Sequence, residues 1–259
     1  MLDRLVVVDY IEGAGGEYLS QSINSHAEFN NSMVLQKWFN SQRHIIHNWD
    51  IAFAEQSNLF LNQCKLQQVK NLAISYHLYF HPGHIELLKP LSKHTQFITI
   101  DSTGHEQMVK MEFIRKVLFN SISKQEIKEV KYRIQADRTP QTYTLIELLM
   151  KEKLYGIDLV LYKRGLPITR KNRENTFNQL LNKKEKCPTN DITILYEDFF
   201  ISFDKTEKSY YNLCESLNII PNNEILNAML VRNKANFEEL TEFTKNFESI
   251  KNHVLSTTP

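Results

Sequence analysis

Cysteine is scarce in this chain, and the few cysteines lie far apart. Cys64, Cys187 and Cys214 are the only three among 259 residues, and no two of them form a CxxC pair. This number and spacing argue against a disulfide framework and against a cysteine-ligated zinc site. The sequence therefore predicts a protein of the reducing cytoplasm.

An excess of charge of one sign is also lacking, as are long hydrophobic runs. The chain carries 31 Lys plus Arg against 30 Asp plus Glu, for a net charge of +1. This balance does not indicate nucleic acid as a partner. No stretch approaches the roughly 18 uninterrupted apolar residues of a membrane span, and the N-terminus does not read as a signal peptide. We expect a soluble, unprocessed protein with no membrane partner.

Glycine is scarce as well, which makes its distribution informative. Of the 7 glycines, three are clustered at Gly13, Gly15 and Gly16. They follow the apolar, β-branched segment 5–11 and precede an amphipathic segment that begins like a helix. Glycine allows sharp turns and close approaches, and a strand, a glycine loop and a helix in this order can wrap backbone N–H groups around a phosphate. The segment predicts a phosphate-binding loop, with a ligand-free turn as the alternative.

The same loop lacks the residues of the common nucleotide-binding motifs. Glu17 and Tyr18 follow Gly16, where ATPases and kinases have a lysine for the outer phosphates and a Ser or Thr for magnesium. The third glycine of the dinucleotide fingerprint is missing too. A phosphate ligand that needs no magnesium therefore fits this loop best.

The order of apolar runs and helical patterns predicts the fold class. Beyond the first strand, the patterns predict strands at 70–79, 95–100 and 191–195, and helices at 82–91, 107–119, 144–155 and from 203 to the C-terminus. Such alternation is typical of an α/β fold with a mostly parallel sheet flanked by helices. We expect one domain over residues 1–259, with 30–62 and 124–155 as possible cap insertions.

Two segments resemble motifs of the sulfotransferase superfamily, whose members are P-loop proteins without the Walker residues. Residues 13–19, Gly-Ala-Gly-Gly-Glu-Tyr-Leu, are placed like the family's 5'-phosphosulfate loop, which usually reads Lys-Ser-Gly-Thr-Thr, or Lys-x-Gly-Gly-Thr in the carbohydrate branch. Residues 192–199, Ile-Thr-Ile-Leu-Tyr-Glu-Asp-Phe, are similar to the family's Tyr-Glu-Asp-Leu strand end. The resemblance implies a P-loop, sulfotransferase-like sheet.

The resemblance also implies a function and a cofactor. The donor would be 3'-phosphoadenosine 5'-phosphosulfate (PAPS), whose sulfuryl group passes to a hydroxyl of a small molecule, sugar or modified base and leaves PAP. The loop residues that would hold the nucleotide are Gly13, Ala14, Gly15, Gly16, Glu17 and Tyr18. In this alignment Gly13 stands where the family has its loop lysine and Glu17 where it has a hydroxyl, so another basic side chain would have to neutralise the leaving phosphate.

A second part of the donor site is expected after the third strand. The family usually places an arginine there and a serine in the next helix, whereas this strand ends in Asp101 and Ser102. Ser102, Arg115 and Ser121 are the candidates to contact the donor in their place. Because Asp101 would oppose a phosphate, there are two alternatives here: the donor lacks a 3'-phosphate, or this end of the strand belongs to the acceptor pocket instead.

A basic stretch in the second half of the chain supplies further candidates. Lys163 and Arg164, followed by Arg170, Lys171 and Arg173, could form a mobile loop that lays cations over a nucleotide or an anionic acceptor. Charge runs are also common in solvated loops that bind nothing, which is the alternative interpretation.

His77 is the candidate catalytic base. It closes the second predicted strand, where several branches of the family carry a base, and an imidazole suits the removal of a hydroxyl proton near neutral pH. The alternative is a histidine that caps the strand end. Neighbouring His81 and His84 invite a metal interpretation, but Pro82 breaks any helix that would align them, so we expect no metal.

Two other functions stay open on this scaffold. An ATP-dependent P-loop kinase would need a magnesium site, which the missing Gly-Lys-Ser/Thr argues against. A degenerate member that binds a nucleotide or a partner without catalysis is favoured by the missing loop lysine.

Overall fold

The structure is a computed structural model that describes residues 1–11, 13–29, 61–62, 64–66, 68–76, 83–118, 139–151, 154–182 and 191–257. The chain divides into two compact units, Met1–His105 with Glu185–Phe237, and Glu106–Lys184 with Glu238–Pro259. The expected cap at 30–62 lies almost wholly outside the described residues, and so does the first half of the cap expected at 124–155. The single domain with caps stays a prediction.

A parallel sheet forms the centre of the first unit. Its strands are β1 (Leu2–Asp9), β2 (Asn71–Tyr76), β3 (Ser92–Asp101) and β4 (Ile192–Leu195). They are hydrogen-bonded in the order β2-β1-β3-β4, and every pairing is parallel. The predicted α/β class with a parallel sheet flanked by helices is therefore confirmed.

Strand β1 lies inside the sheet, between β2 and β3. Its apolar residues are buried on both faces of the sheet. Val6, Val7 and Val8 are all 0 % exposed, and successive side chains of a strand point to opposite faces of the sheet. Covered faces on both sides are the usual state of a parallel sheet. In register, Val7 lies opposite Ile74 of β2 and Phe97 of β3.

The helices flank the sheet and build the second unit. In chain order they are α1 (Gly16–Asn24), α2 (His84–Leu88), α3 (Glu106–Phe113), α4 (Pro140–Met150), α5 (Gly156–Lys163), α6 (Arg170–Asn182), α7 (Tyr196–Phe200), α8 (Phe203–Ser216) and α9 (Asn223–Ser256). Helix α1 packs on β1 and β2. Its last residue, Asn24, pairs its side-chain amide with the backbone N–H and carbonyl of Ala73 at 2.8 and 2.7 Å.

The second unit has apolar clusters of its own. One joins Met111, Ile157 and Phe177 with Leu240 and Phe247 of α9. Another cluster is built from leucines and one isoleucine: Leu145, Leu148, Leu154, Leu161 and Ile168. No described helix combines the length and the apolar character needed to cross a membrane.

The helix predicted at 144–155 begins earlier in the structure, at Pro140. The Thr139 side chain accepts a hydrogen bond from the Thr142 N–H at 3.3 Å, and Pro140 occupies the first turn. Threonine before the helix and proline at its first position are both favoured at helix starts. The sequence therefore already contains, in Thr139 and Pro140, the residues that indicate where this helix begins.

Candidate functional site

The topology of the sheet places a switch point beside β1. From β1 the chain adds β2 on one side and β3 on the other, so the strand order reverses between β1 and β3. In open α/β sheets, ligands bind outside the carboxyl ends of the strands at such a switch point. The segments that follow β1 and β3 are the glycine loop and the turn at 102–105. Both belong to the first unit.

The glycine loop forms the predicted connection from strand to helix. Ala14 N–H donates to the Ile11 carbonyl at 3.0 Å, which closes the turn. Gly13 and Gly15 have φ angles of 97° and 79°, in the region that L-residues rarely adopt. Gly15 caps α1 without a side chain, and Gly16 is the first helical residue. The N–H groups of a first helical turn lack partners within the helix and carry partial positive charge.

Aromatic rings pack closely on the two glycines that start α1. A Cβ at Gly15 would lie 2.6 Å from Cζ of Phe200, and a Cβ at Gly16 would overlap the ring of Tyr10. Phe200 also stacks on Tyr196, with ring centroids 5.1 Å apart. The absence of side chains at Gly15 and Gly16 thus has a packing cause as well as any ligand-binding cause.

The charged groups at the start of α1 differ from those of a lysine-bearing phosphate loop. Glu17 lies in the first turn. The Arg232 guanidinium of α9 lies 4.1 Å from the centroid of the Tyr18 ring, and the Tyr18 hydroxyl donates to the Ala228 carbonyl at 3.4 Å. Burial raises the pKa of Tyr18. The first turn of α1 contains no basic residue of its own, and the positive charge next to Tyr18 is that of Arg232.

The turn after β3 is organised by Asp101. Its Oδ1 accepts hydrogen bonds from the Thr103 N–H at 3.0 Å and the Thr103 hydroxyl at 2.6 Å. His105 N–H donates to the Ser102 carbonyl at 2.9 Å, and Gly104 has a φ of 84°. Ser102, which the sequence predicts to contact the nucleotide donor, is buried at this carboxyl edge of the sheet.

A histidine–carboxylate pair lies at the same edge and was missed by sequence reasoning. His105 Nε2 is 3.6 Å from Glu197 Oε2. Glu197 Oε1 accepts from Lys205 Nζ at 2.8 Å and from the Ser202 hydroxyl at 3.0 Å. The Lys205 hydrogen bond is the largest of the contacts that lower the pKa of Glu197. The available signal was that both residues follow predicted strands within a few positions.

Several predicted site residues are not among the described residues of the first unit. His77 and Ser121 lie outside the described residues, so their roles stay predictions. Arg115, Lys163 and Arg164 belong to the second unit.

Arg115 is engaged in ion pairs within the second unit. Its Nε is 2.9 Å from Glu112 Oε2, and its Nη1 is 2.7 Å from Glu239 Oε2. The Glu112 side chain is only 1 % exposed and also pairs with Lys116. Burial opposes ionisation of Glu112, but the hydrogen bond from Arg115 and the charge of Lys116 lower its pKa on balance. Arg115 thus has a structural task, whatever else it contacts.

The prediction that Arg173 lies in a mobile basic loop is wrong, because this residue belongs to a helix. Residues from Arg170 to Asn182 form helix α6, and the Arg173 side chain is 0 % exposed. Its Nε and Nη2 donate to the two carboxylate oxygens of Asp158 at 2.7 and 3.0 Å. Its Nη1 donates to the carbonyls of Val254 and Thr257 at 2.6 and 2.9 Å. Lys163 and Arg164 are exposed at the end of α5.

Of the three histidines considered for a metal, only His84 is described. It is buried, with Nδ1 2.5 Å from the Tyr76 hydroxyl. Among the residues that the structure describes, no three His, Cys, Asp or Glu side chains form a group that could hold a metal ion. Cys64 and Cys214 are buried free thiols, and burial raises the pKa of Cys64 to about 11.

Comparisons with known proteins found no match for this chain. No protein-family model matches it, and no curated protein or solved structure matches it either.

Proposed function

We propose that the chain is a sulfotransferase-like transferase that moves a group from a phosphate-containing nucleotide, PAPS, to a hydroxyl of a small molecule, sugar or modified base. The supporting observation is the position of the glycine loop. It follows the central strand β1, lies beside the switch point of the sheet, and ends at Gly15 and Gly16 where α1 begins. Such a helix start is suited to bind an anion such as a nucleotide phosphate.

The side chains at this loop favour a donor without magnesium. Glu17 takes the position after the last glycine, where a lysine would contact outer phosphates in an ATPase. The positive charge beside Tyr18 comes instead from Arg232. Charge on a leaving phosphate would be stabilised by backbone N–H groups and by this guanidinium, and the rate would depend on positioning and electrostatics rather than on a metal.

A second candidate is a nucleotide-binding or partner-binding scaffold without catalysis. The observation in its favour is the packing of Tyr10 and Phe200 on the loop, because it accounts for Gly15 and Gly16 without any ligand. The absence of the loop lysine points the same way.

The test is thermal stabilisation of the purified protein by three ligands: PAP and ATP, each without and with magnesium, and adenosine, which has no phosphate. Transferase function predicts a rise in Tm with PAP that magnesium does not change and that adenosine does not produce. A rise in Tm only with ATP plus magnesium would contradict the proposal and would favour a kinase. No rise with any nucleotide would favour the partner-binding scaffold.

A further inference from the structure

We infer that His105 is the catalytic base of the first unit and that Glu197 is its positioning residue. This inference rests on the proposed group transfer and names the residue that would accept the proton of the hydroxyl. It differs from the sequence-based prediction, which assigns that task to His77.

The fold brings the two residues together through strand pairing. Asp101 of β3 lies opposite Leu195 of β4 in the parallel register. His105 follows β3 after the turn at 102–104, and Glu197 is the second residue of α7, directly after β4. The carboxyl ends of neighbouring parallel strands share one edge, so the two side chains meet, with Nε2 and Oε2 3.6 Å apart.

The contacts of Glu197 leave one carboxylate oxygen for the histidine. Oε1 accepts from both Lys205 and Ser202, at 2.8 and 3.0 Å, whereas Oε2 faces His105. Lys205 is also 3.9 Å from Asp198 Oδ1. With Glu197 Oε2 beside Nε2, we assign the acceptor proton to Nδ1 of the imidazole. Within the described part of the chain, Nδ1 of His105 makes no hydrogen bond, and the side chain is 29 % exposed.

A row of rings connects this pair with the glycine loop. The His105 ring lies 6.2 Å from the Tyr196 ring, and Tyr196 stacks on Phe200 at 5.1 Å. Phe200 in turn packs on Gly15. The imidazole and the start of α1 therefore lie on the same edge of one unit, as a base and a donor phosphate must.

The chemical step is balanced with no further reactant. The acceptor oxygen forms a bond to the sulfur of PAPS while the bond from sulfur to the bridging oxygen breaks, and that oxygen leaves with its electron pair on PAP. The acceptor proton passes to His105 Nδ1 and from there to solvent. Glu197 stabilises the imidazolium that forms in between. Water can replace the hydroxyl acceptor, in which case the product is sulfate.

The experiment measures sulfate release from ³⁵S-labelled PAPS in water, with PAP binding followed in parallel. We expect His105→Ala to lower the rate about 100-fold, in the range for loss of a general base, and added imidazole to restore part of it. Glu197→Gln should lower the rate about tenfold, with partial recovery in Glu197→Asp. PAP binding should change less than about twofold in each variant. The matched control is His94→Ala, because His94 is an exposed histidine at the other end of β3.

The outcomes separate this inference from the proposed function. If wild-type protein binds PAP and His105→Ala releases sulfate at the wild-type rate, the inference is overturned, and loss of the rate in His77→Ala would identify the base. PAP binding without any sulfate release by wild-type protein would also overturn it. If wild-type protein does not bind PAP, the proposed function fails and His105 has no donor to act on. An imidazole response in His94→Ala would show that the rescue is unspecific.

Discussion

At the scale of single residues, Gly15 is subject to two separate constraints. Its backbone has a φ of 79°, and its missing Cβ leaves room for the Phe200 ring. Gly104 shares only the first constraint, since its φ is 84° and nothing lies within 4 Å of a Cβ built there. The two glycines therefore form a natural pair for separating backbone strain from steric overlap.

Gly15→Ala is expected to destabilise the protein more than Gly104→Ala. Both changes force alanine into the left-handed region, at about 1–2 kcal/mol. Only Gly15→Ala adds overlap with Phe200, at about 1–3 kcal/mol for an overpacked site. Urea unfolding measures both costs, and Phe200→Leu should recover part of the loss in Gly15→Ala. Equal costs for the two alanine variants would show that Phe200 moves aside freely.

Arg173 presents a different constraint, because its charge is fully buried against Asp158. Arg173→Met is expected to lower the free energy of unfolding by about 3–5 kcal/mol, since it leaves a buried carboxylate without its partner. Replacing both members, with Asp158→Leu as the second change, should cost much less than the sum of the two single changes. Urea unfolding provides the measurement.

The control for this prediction is Arg170→Met, in the exposed first turn of the same helix. Surface substitutions of this kind usually change stability by less than about 0.5 kcal/mol. Equal losses at Arg170 and Arg173 would contradict the role given to the buried pair.

At the scale of one element, helix α1 contains an acidic residue where an anion would bind. The carboxylate of Glu17 is in the first turn, where negative charge stabilises the helix through its dipole. The same charge repels a bound phosphate. Helix stability and anion affinity should therefore respond to this residue in opposite directions.

Glu17→Gln is expected to lower the free energy of unfolding by about 0.3–1 kcal/mol, the usual size of a charge–dipole interaction. PAP should bind more tightly to this variant than to wild-type protein, because one repulsive charge is gone. Urea unfolding and a PAP titration measure the two effects. The control is Glu207→Gln, at an exposed position in helix α8. This change should alter neither the free energy of unfolding nor the affinity for PAP. Weaker PAP binding in Glu17→Gln would argue against a phosphate at this loop.

At the scale of the whole molecule, a polar network around the buried side chains of His26 and Tyr210 joins the two sequence segments of the first unit. His26 Nδ1 donates to the Ile220 carbonyl at 3.0 Å, and Nε2 lies 3.3 Å from the Tyr210 hydroxyl. That hydroxyl donates to the Asn222 carbonyl at 3.0 Å and accepts from the Asn222 N–H at 2.8 Å. Glu28 Oε1 accepts from the Ile220 N–H at 2.6 Å. The segment after α1 is thereby held to the turn between α8 and α9.

This network should make stability depend on pH. Burial lowers the pKa of His26, and this outweighs the opposing effects of the Ile220 carbonyl and Glu28. The unfolded chain, with a histidine pKa near 6.5, therefore binds the proton more readily than the folded protein. Stability is present above about pH 6.5 and is lost as the pH falls below it.

Urea unfolding between about pH 8 and about pH 5 tests this dependence. We expect the free energy of unfolding of wild-type protein to fall more steeply towards acid than that of His26→Gln, which has no titrating group at this position. The exposed control His94→Gln should keep the wild-type slope. Parallel slopes for wild-type protein and His26→Gln would contradict the assignment.

Some features of the fold could be predicted because their causes are local. The β-branched run before Gly13 predicts β1, and the glycines predict the turn into α1 because few other residues adopt positive φ angles. The apolar runs near 71, 95 and 192 predict β2, β3 and β4 for the same kind of reason. The α/β class follows from the alternation of these elements with helices.

Other features depend on residues far apart in the chain. Nothing in the basic stretch distinguishes Arg173 from Arg170, because burial of Arg173 depends on Asp158 in the preceding helix. The pairing of His105 with Glu197 requires β4 to lie beside β3 rather than at another edge of the sheet. The sequence alone therefore predicts a base at His77 and cations in a loop.

The sequence by itself determined the strand, glycine loop and helix at the N-terminus, the α/β class, and the lack of a lysine after the glycines. All three depend only on local backbone preference and on the type of side chain at each position. Only the tertiary structure decided the strand order β2-β1-β3-β4, the aromatic packing on Gly15 and Gly16, and the placement of His105, Glu197 and Arg232. These contacts join residues that are distant in sequence, and they form only because burial of the sheet brings those segments together.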